Sequence, residues 1–259
     1  MGKKLADIEK EIKSSSKLFK EYLSNNLDND AIDFVEKISK KNDIYIFSGV
    51  IRNFFLKKKE IRDLDIVVTS IKKIENIIKK YSYTKNSFGG YKISVNNLNI
   101  DLWELTNTWA LNYQPNLFEE DNLSLLHKTS FFNFSSIVYN YNDEYFNFSK
   151  DFQQFLQTKK LDVVFPVNPN ISLCVINTVY YTEKFNLGFG TNLKKFLNSL
   201  NLEKIDNLEN IQIKHFGEVK YSNEFIINKI TQIRNHKDKP TEKKEYPIYL
   251  LFSETNVEK

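Results

Sequence analysis

The chain has 259 residues, room for one large domain or two small ones with a sizeable core. Hydrophobic residues are 41% and aromatics 14%, which excludes wholesale disorder, and no apolar run approaches a bilayer span, which excludes a transmembrane helix and any expected membrane partner. The net charge of +4 is too mild to imply nucleic-acid binding by itself.

Residues 3–24 are expected to form an amphipathic helix, with Leu5, Ile8, Ile12, Phe19 and Leu23 on one face. Asp28 or Asp30 caps a second helix that turns Ile32, Val35 and Ile38 inward. Asp43–Phe47 reads as a strand ending at Ser48-Gly49, and Val50–Leu56 as a short helix after that turn. Residues 57–61 form a charged loop. Asp63–Val68 reads as a second strand, and Ile71, Ile74 and Ile78 mark a helix over 71–81. Residues 91–95 and 98–103 read as a hairpin around Asn96-Asn97. The apolar stretch 131–140 is expected as a helix packed on the sheet. A turn, a helix around Phe152, Phe155 and Leu156, and a strand-like LDVVF occupy 145–165, before Pro166 and Pro169 punctuate a boundary. Beyond 171 three apolar stripes read as helices, at 175–180, 193–200 and 226–233. The expected organisation is an α+β domain over 1–165 with N-terminal helices, a smaller helical domain over 166–235, and a charged linker with a C-terminal segment over 236–259.

One cysteine, Cys174, leaves no disulfide framework and no cysteine-based zinc site, and the three histidines have no metal-binding spacing. With a charged N-terminus lacking a signal-peptide core, this points to the reducing cytoplasm. Only three of the 37 basic residues are Arg. Two of them, Arg52 and Arg62, fall within eleven residues, where a planar fork matters more than charge alone.

The informative stretch is 46–68, IFSGVIRNFFLKKKEIRDLDIVV. A strand runs into a glycine turn and a helix start, where backbone N–H groups favour a phosphate. Asp63 and Asp65, two apart on a strand, project to one face. Paired carboxylates repel unless a cation neutralises them, and hard oxygen donors suit Mg²⁺. Asp101, in the strand LNIDLW, is the expected third carboxylate, with Asp43, Glu104 and a plain solvated strand end as competitors.

These residues resemble the DNA polymerase beta-like nucleotidyltransferase superfamily, and more narrowly the head domain of poly(A) polymerases and CCA-adding tRNA nucleotidyltransferases. The family pattern of a strand, Gly-Gly-x-x-Arg-Asp and then Asp-x-Asp reads here as Ser48-Gly49-Val50-Ile51-Arg52-Asn53 and Asp63-Leu64-Asp65. The likeness covers about 43–200 and is specific over 46–68. Departures are Ser48 for Gly, Asn53 for Asp, Thr129 and Ser130 for the paired Arg before the second motif, and a neck helix without the nucleotide-contacting Arg residues. The length leaves little room for a tRNA-gripping body and tail.

The resemblance implies two-metal phosphoryl transfer from an NTP, with two Mg²⁺ ions held by Asp63, Asp65 and Asp101. Ser48, Gly49 and Arg52 would hold the triphosphate. Arg62 would reach the same phosphates or pair with Glu60. The favoured acceptor is an RNA 3′ end such as that of tRNA. The alternatives are a toxin- or defence-type enzyme acting on a protein or small-molecule hydroxyl, and a degenerate RNA-binding head. Residues 52–80 carry nine basic and four acidic residues, a local +5 compatible with a polyanion. Trp103 and Trp109 either stack a base or pack in the core; Gly89-Gly90 either admits substrate or makes a turn; His127 is expected at the surface and Cys174 in the core. Oligomeric state is not legible.

Overall fold

A computed structural model describes residues 4–47, 49–86, 89–113, 122–202, 205 and 207–236. Ser48 and the segment 237–259, including YPIYLLF, lie outside the described residues.

The expected first helix is two: α1 (Leu5–Ser14) and α2 (Ser16–Asn26). The break falls on three consecutive serines. Ser14 and Ser15 donate to Glu11 O at 3.1 and 2.7 Å, and Ser16 to Lys13 O at 2.9 Å. Such back-bonding competes with the helical ladder. The buried face still holds Ile8, Ile12, Phe19 and Leu23. Helix α3 (Asn29–Ser39) is capped by Asp28, whose Oδ1 accepts from Ala31 N at 2.7 Å.

There follow β1 (Ile44–Phe47), α4 (Gly49–Phe55) and β2 (Asp63–Val68). The expected helix over 71–81 is instead a 3₁₀ turn, Ile71–Lys73, and the single turn α5 (Glu75–Ile78). Four isoleucines in eight residues are weak helix formers, and Ile74 and Ile78 bury without a longer helix. Next come β3 (Ser82–Lys85), β4 (Tyr91–Val95) and β5 (Leu98–Glu104), then α6 (Trp109–Tyr113) and α7 (Asn122–Leu125). The expected helix over 131–140 is a 3₁₀ turn, Asn133–Ser135, and a strand, β6 (Ile137–Asn140), that pairs with β1. All four of its residues are buried, so it lacks the alternation that separates strand from helix. The chain continues through β7 (Tyr145–Phe148), α8 (Lys150–Thr158), β8 (Lys160–Leu161), α9 (Ile171–Phe185), β9 (Gly188–Phe189), α10 (Thr191–Ser199), α11 (Leu208–Phe216) and α12 (Asn223–Asn235).

The main sheet has the order β3-β4-β5-β2-β1-β6-β7. Within it β2 and β5 are parallel and the other neighbours antiparallel. The mixed sheet, its flanking helices and the C-terminal helices make the α+β architecture expected from the sequence. Ile44, Ile46, Leu64, Ile66, Ile100 and Leu102 turn one sheet face into the main core. That core runs from Ile8 through the sheet to Val175, Leu193 and Ile233, so α9, α10 and α12 share it with the sheet. Tyr45, Val67 and Val138 lie on the opposite face. No helix of the described residues is long and apolar enough to cross a membrane.

Candidate functional site

Leu64 and Ile66 enter the main core, so alternation sends Asp63 and Asp65 to the other face of β2. Ile100 and Leu102 do the same for Asp101 on β5. Parallel pairing places Asp65 opposite Asp101 and Asp63 opposite Asn99. The same rung continues to Phe47 on β1 and to Lys92 on β4. Five strands thus build one row, Lys92, Asp101, Asp65, Phe47 and Val138. The competitors for the third acid lie elsewhere. Asp43 is exposed before β1, and Glu104 accepts from Ile71 N at 3.1 Å.

The fold opposes charge at the centre of this row. The Asp65 carboxyl is pushed up to about 7, first by burial, then by the charges of Asp63 and Asp101, against the pull of Arg62 and Arg52. Asp101 is also raised, by burial first and by Asp63, with Lys92 and Arg62 opposing. The three acids are hard oxygen donors whose mutual repulsion a divalent cation would relieve, so they fit Mg²⁺ in kind. They are not drawn together around an ion: among the described residues no three of His, Cys, Asp and Glu converge as a metal-holding group. Asp63 is instead engaged by Arg62, whose Nη2 and Nε donate to its Oδ2 at 2.5 and 3.0 Å. Glu60, the other partner considered for Arg62, lies 3.9 Å from Lys184 Nζ.

Arg52 sits within α4, 9% exposed, inside a cage of three rings. Its guanidinium carbon lies 4.8 Å from the centroid of Phe134, 5.2 Å from Tyr181 and 5.1 Å from Phe185. Asn53 pins it, with Oδ1 accepting from Nε and Nη2 at 3.2 and 3.1 Å, while Nδ2 donates to Glu60 O at 2.8 Å. Asn53 therefore ties α4 to the loop before β2. Gly49, Arg52, Asn53, Arg62, Asp63 and Tyr181 line one polar cleft. Among the described residues, a Cβ built on Gly49 would meet only Arg52 Nη2, at 3.7 Å, so their packing leaves that space open.

A second cavity, of about 290 Å³, lies between 129–135 and α9, lined by Phe47, Ser130, Phe132, Cys174, Asn177 and Tyr181. The Asn177 Oδ1 is buried there without a hydrogen-bond partner among the described residues. Tyr181 borders both this cavity and the polar cleft. Cys174 is buried, as expected, and burial pushes its thiol up to about 12. His127 is not at the surface. It is buried, its Nδ1 lacks a partner among the described residues, and burial followed by Lys128 pulls it down to about 4. Gly89 and Gly90 make a turn: Gly89 has φ +81°, and Gly90 N donates to Asn86 Oδ1 at 2.9 Å.

Sequence reasoning missed Lys92, Tyr181, Asn177 and His215. Lys92 was signalled by its alternation with Tyr91 and Ile93, which are buried. The others come from α9 and α11 and carry no local signal. His215 is lowered by burial and by Arg62 and Lys92, with Asp63 opposing, which places it in the field of the cleft.

No protein-family model and no curated protein sequence matches the chain. Solved structures do. A tRNA-processing enzyme with CTP superposes with a TM-score of 0.56 at 18% identity, over 76% of this chain and 55% of that one. A CCA-adding enzyme with ATP gives 0.57 at 15%, over 82% and 54%. A tRNA nucleotidyltransferase complexed with a primer tRNA and an incoming ATP analog gives 0.55 at 18%, over 78% and 60%. The chain spans little more than half the length of these structures. At such identities the shared property is architecture: this chain has the fold of these tRNA-processing and CCA-adding enzymes over about half of their length.

Proposed function

We propose that the protein is an Mg²⁺-dependent nucleotidyltransferase of the cytoplasm that moves a nucleoside monophosphate from an NTP to a hydroxyl at an RNA 3′ end, with tRNA the favoured RNA. The observation that carries this is the register of Asp65 against Asp101, with Asp63 on the same face beside the Gly49 turn. Asp63, Asp65 and Asp101 would hold the two ions, which supply charge neutralisation at the phosphates and a more acidic acceptor hydroxyl. Asp63 turns from Arg62 to do so, which releases the Arg62 guanidinium to the triphosphate. Gly49 leaves room for the phosphate chain, to which Ser48 would contribute its hydroxyl, and the caged Arg52 supplies a fixed positive field. The unpartnered Asn177 Oδ1, reached by a small side-chain turn, would accept from an exocyclic amino group of the base, which adenine, cytosine and guanine carry and uracil lacks.

The test is incubation with each labelled NTP, Mg²⁺ and total cellular RNA. Label in a tRNA-sized band, dependent on Mg²⁺ and lost in Asp65→Ala, supports the reading. Label in protein would move the acceptor to a polypeptide hydroxyl. No pyrophosphate release with any NTP in the presence of RNA would reject the enzyme.

A further inference from the structure

A third cavity, of about 280 Å³, is lined by Phe47, Gly90, Trp103, Thr108, Trp109 and Thr129. Trp103 follows Asp101 by two residues on β5, so its ring stands on the same sheet face, about 7 Å further along the strand. Phe47 separates this cavity from the one at Asn177, and belongs to the same row as Asp65. Trp103 Nε1 donates to Thr108 Oγ1 at 3.1 Å, which fixes the indole and uses its polar atom. Trp109 stacks on Tyr113 with centroids 4.9 Å apart and planes 23° apart. Both indoles are part-exposed. The cavity is thus bordered by held aromatic surfaces, while Lys92, exposed on the adjoining strand, stands across from Asp101 in the row of acids.

We infer that this cavity binds the terminal base of the acceptor, a single-stranded RNA 3′ end, by stacking on Trp103 and Trp109. The inference rests on the nucleotidyltransferase reading above. An in-line displacement needs the attacking oxygen and the departing pyrophosphate on opposite sides of the phosphorus. The polar cleft with Gly49, Arg52 and Arg62 lies at the Asp63 end of β2. The aromatic cavity lies past Asp101, towards the other end of the paired strands. The acids stand between them, so a donor in the first leaves the second for the acceptor. The size is just below the roughly 300 Å³ at which drug-sized pockets begin, which suits one base and not a nucleoside triphosphate. Stacking accepts any base face, and Lys92, opposite Asp101, adds a positive charge for the acceptor backbone where it passes the acids.

The experiment titrates the full chain, without metal, into a single-stranded decaribonucleotide carrying 2-aminopurine at its 3′ end, with a second oligonucleotide carrying the probe internally. ATP binding is measured in parallel by calorimetry with Mg²⁺. The expected result is quenching of the terminal probe alone. Trp109→Leu should weaken RNA binding roughly ten-fold and abolish the quench, Trp109→Phe should keep most of both, and ATP affinity should stay within about two-fold in each. Should Trp109→Leu fail to fold by circular dichroism, Trp103→Leu carries the same expectation. A folded Leu variant that binds and quenches like wild type overturns the inference, as does wild-type binding without terminal quenching. Retained ATP binding with no RNA binding overturns it too and leaves nucleotide transfer standing; loss of ATP binding in wild type rejects that reading instead.

Discussion

Replacing Asp65 by Asn removes the charge that the fold opposes most. The rise of its carboxyl from 3.8 to about 7 corresponds to about 4 kcal/mol against ionisation, at about 1.36 kcal/mol per pH unit. Asp65 keeps part of its surface in solvent, so screening reduces this, and we take about 2 kcal/mol. The sign follows from proton counts. Between the unfolded value near 4 and the folded value, the folded state holds a proton the unfolded chain has released, so metal-free wild type loses stability as pH rises through that window. Urea unfolding in the presence of a chelator measures it. Asp65→Asn should be more stable than wild type by about 2 kcal/mol at pH 8, with the gap shrinking to about 0.5 kcal/mol at pH 4. Added Mg²⁺ should stabilise wild type and not the variant, because the variant lacks the anion that the ion neutralises. Nucleotide transfer should be abolished. A variant less stable than wild type at pH 8 would show that Asp65 is already compensated within the protein and would refute this account of the acidic row.

Arg52→Ala should lower stability by about 1–3 kcal/mol in urea unfolding, because it empties the three-ring cage, and should weaken triphosphate binding more than monophosphate binding in calorimetry. Gly49→Ala should hold stability within about 1 kcal/mol, since among the described residues a Cβ there meets Arg52 Nη2 at 3.7 Å and nothing closer, while NTP affinity falls; unchanged affinity would remove the phosphates from that turn. Asn177→Leu fills a similar volume without an acceptor, and competition binding should then show ATP, CTP and UTP drawn closer in affinity than in wild type.

The sheet that carries the acids was legible because its strands alternate. Val95-Asn96-Asn97-Leu98 gave the hairpin, and the observed register pairs Val95 with Leu98, with Asn96 at φ 50°. The two-residue spacing of Asp63 and Asp65 gave their shared face. Legibility failed where alternation or local pairing was absent. Strand β6 is buried on both faces, so its apolar run carries no period. Arg62 pairs with its immediate neighbour Asp63, a partner that strand alternation alone does not suggest. Tyr181 reaches the cleft, and His215 comes within the field of its charges, from helices more than a hundred residues downstream, through tertiary packing that no local pattern encodes.

Asn53 holds Arg52 in place without neutralising it. A carboxylate at this position would bind the Arg52 guanidinium more strongly than an amide does, and would cancel much of its charge. The amide oxygen of Asn53 and the faces of Phe134, Tyr181 and Phe185 hold the guanidinium while leaving its net charge intact. That charge already acts across the cleft, where it pulls against the rise of Asp65. Asn53→Asp should therefore tighten the hold on Arg52 but weaken its field. Stability should stay within about 1 kcal/mol of wild type, as the new ion pair offsets the partial burial of its charge. ATP affinity should fall several-fold while AMP affinity changes little, because the lost field acts on the β- and γ-phosphates. Calorimetric titration with both nucleotides measures the contrast. Equal losses for ATP and AMP would place Arg52 near the base or ribose and remove it from the phosphate end of the cleft.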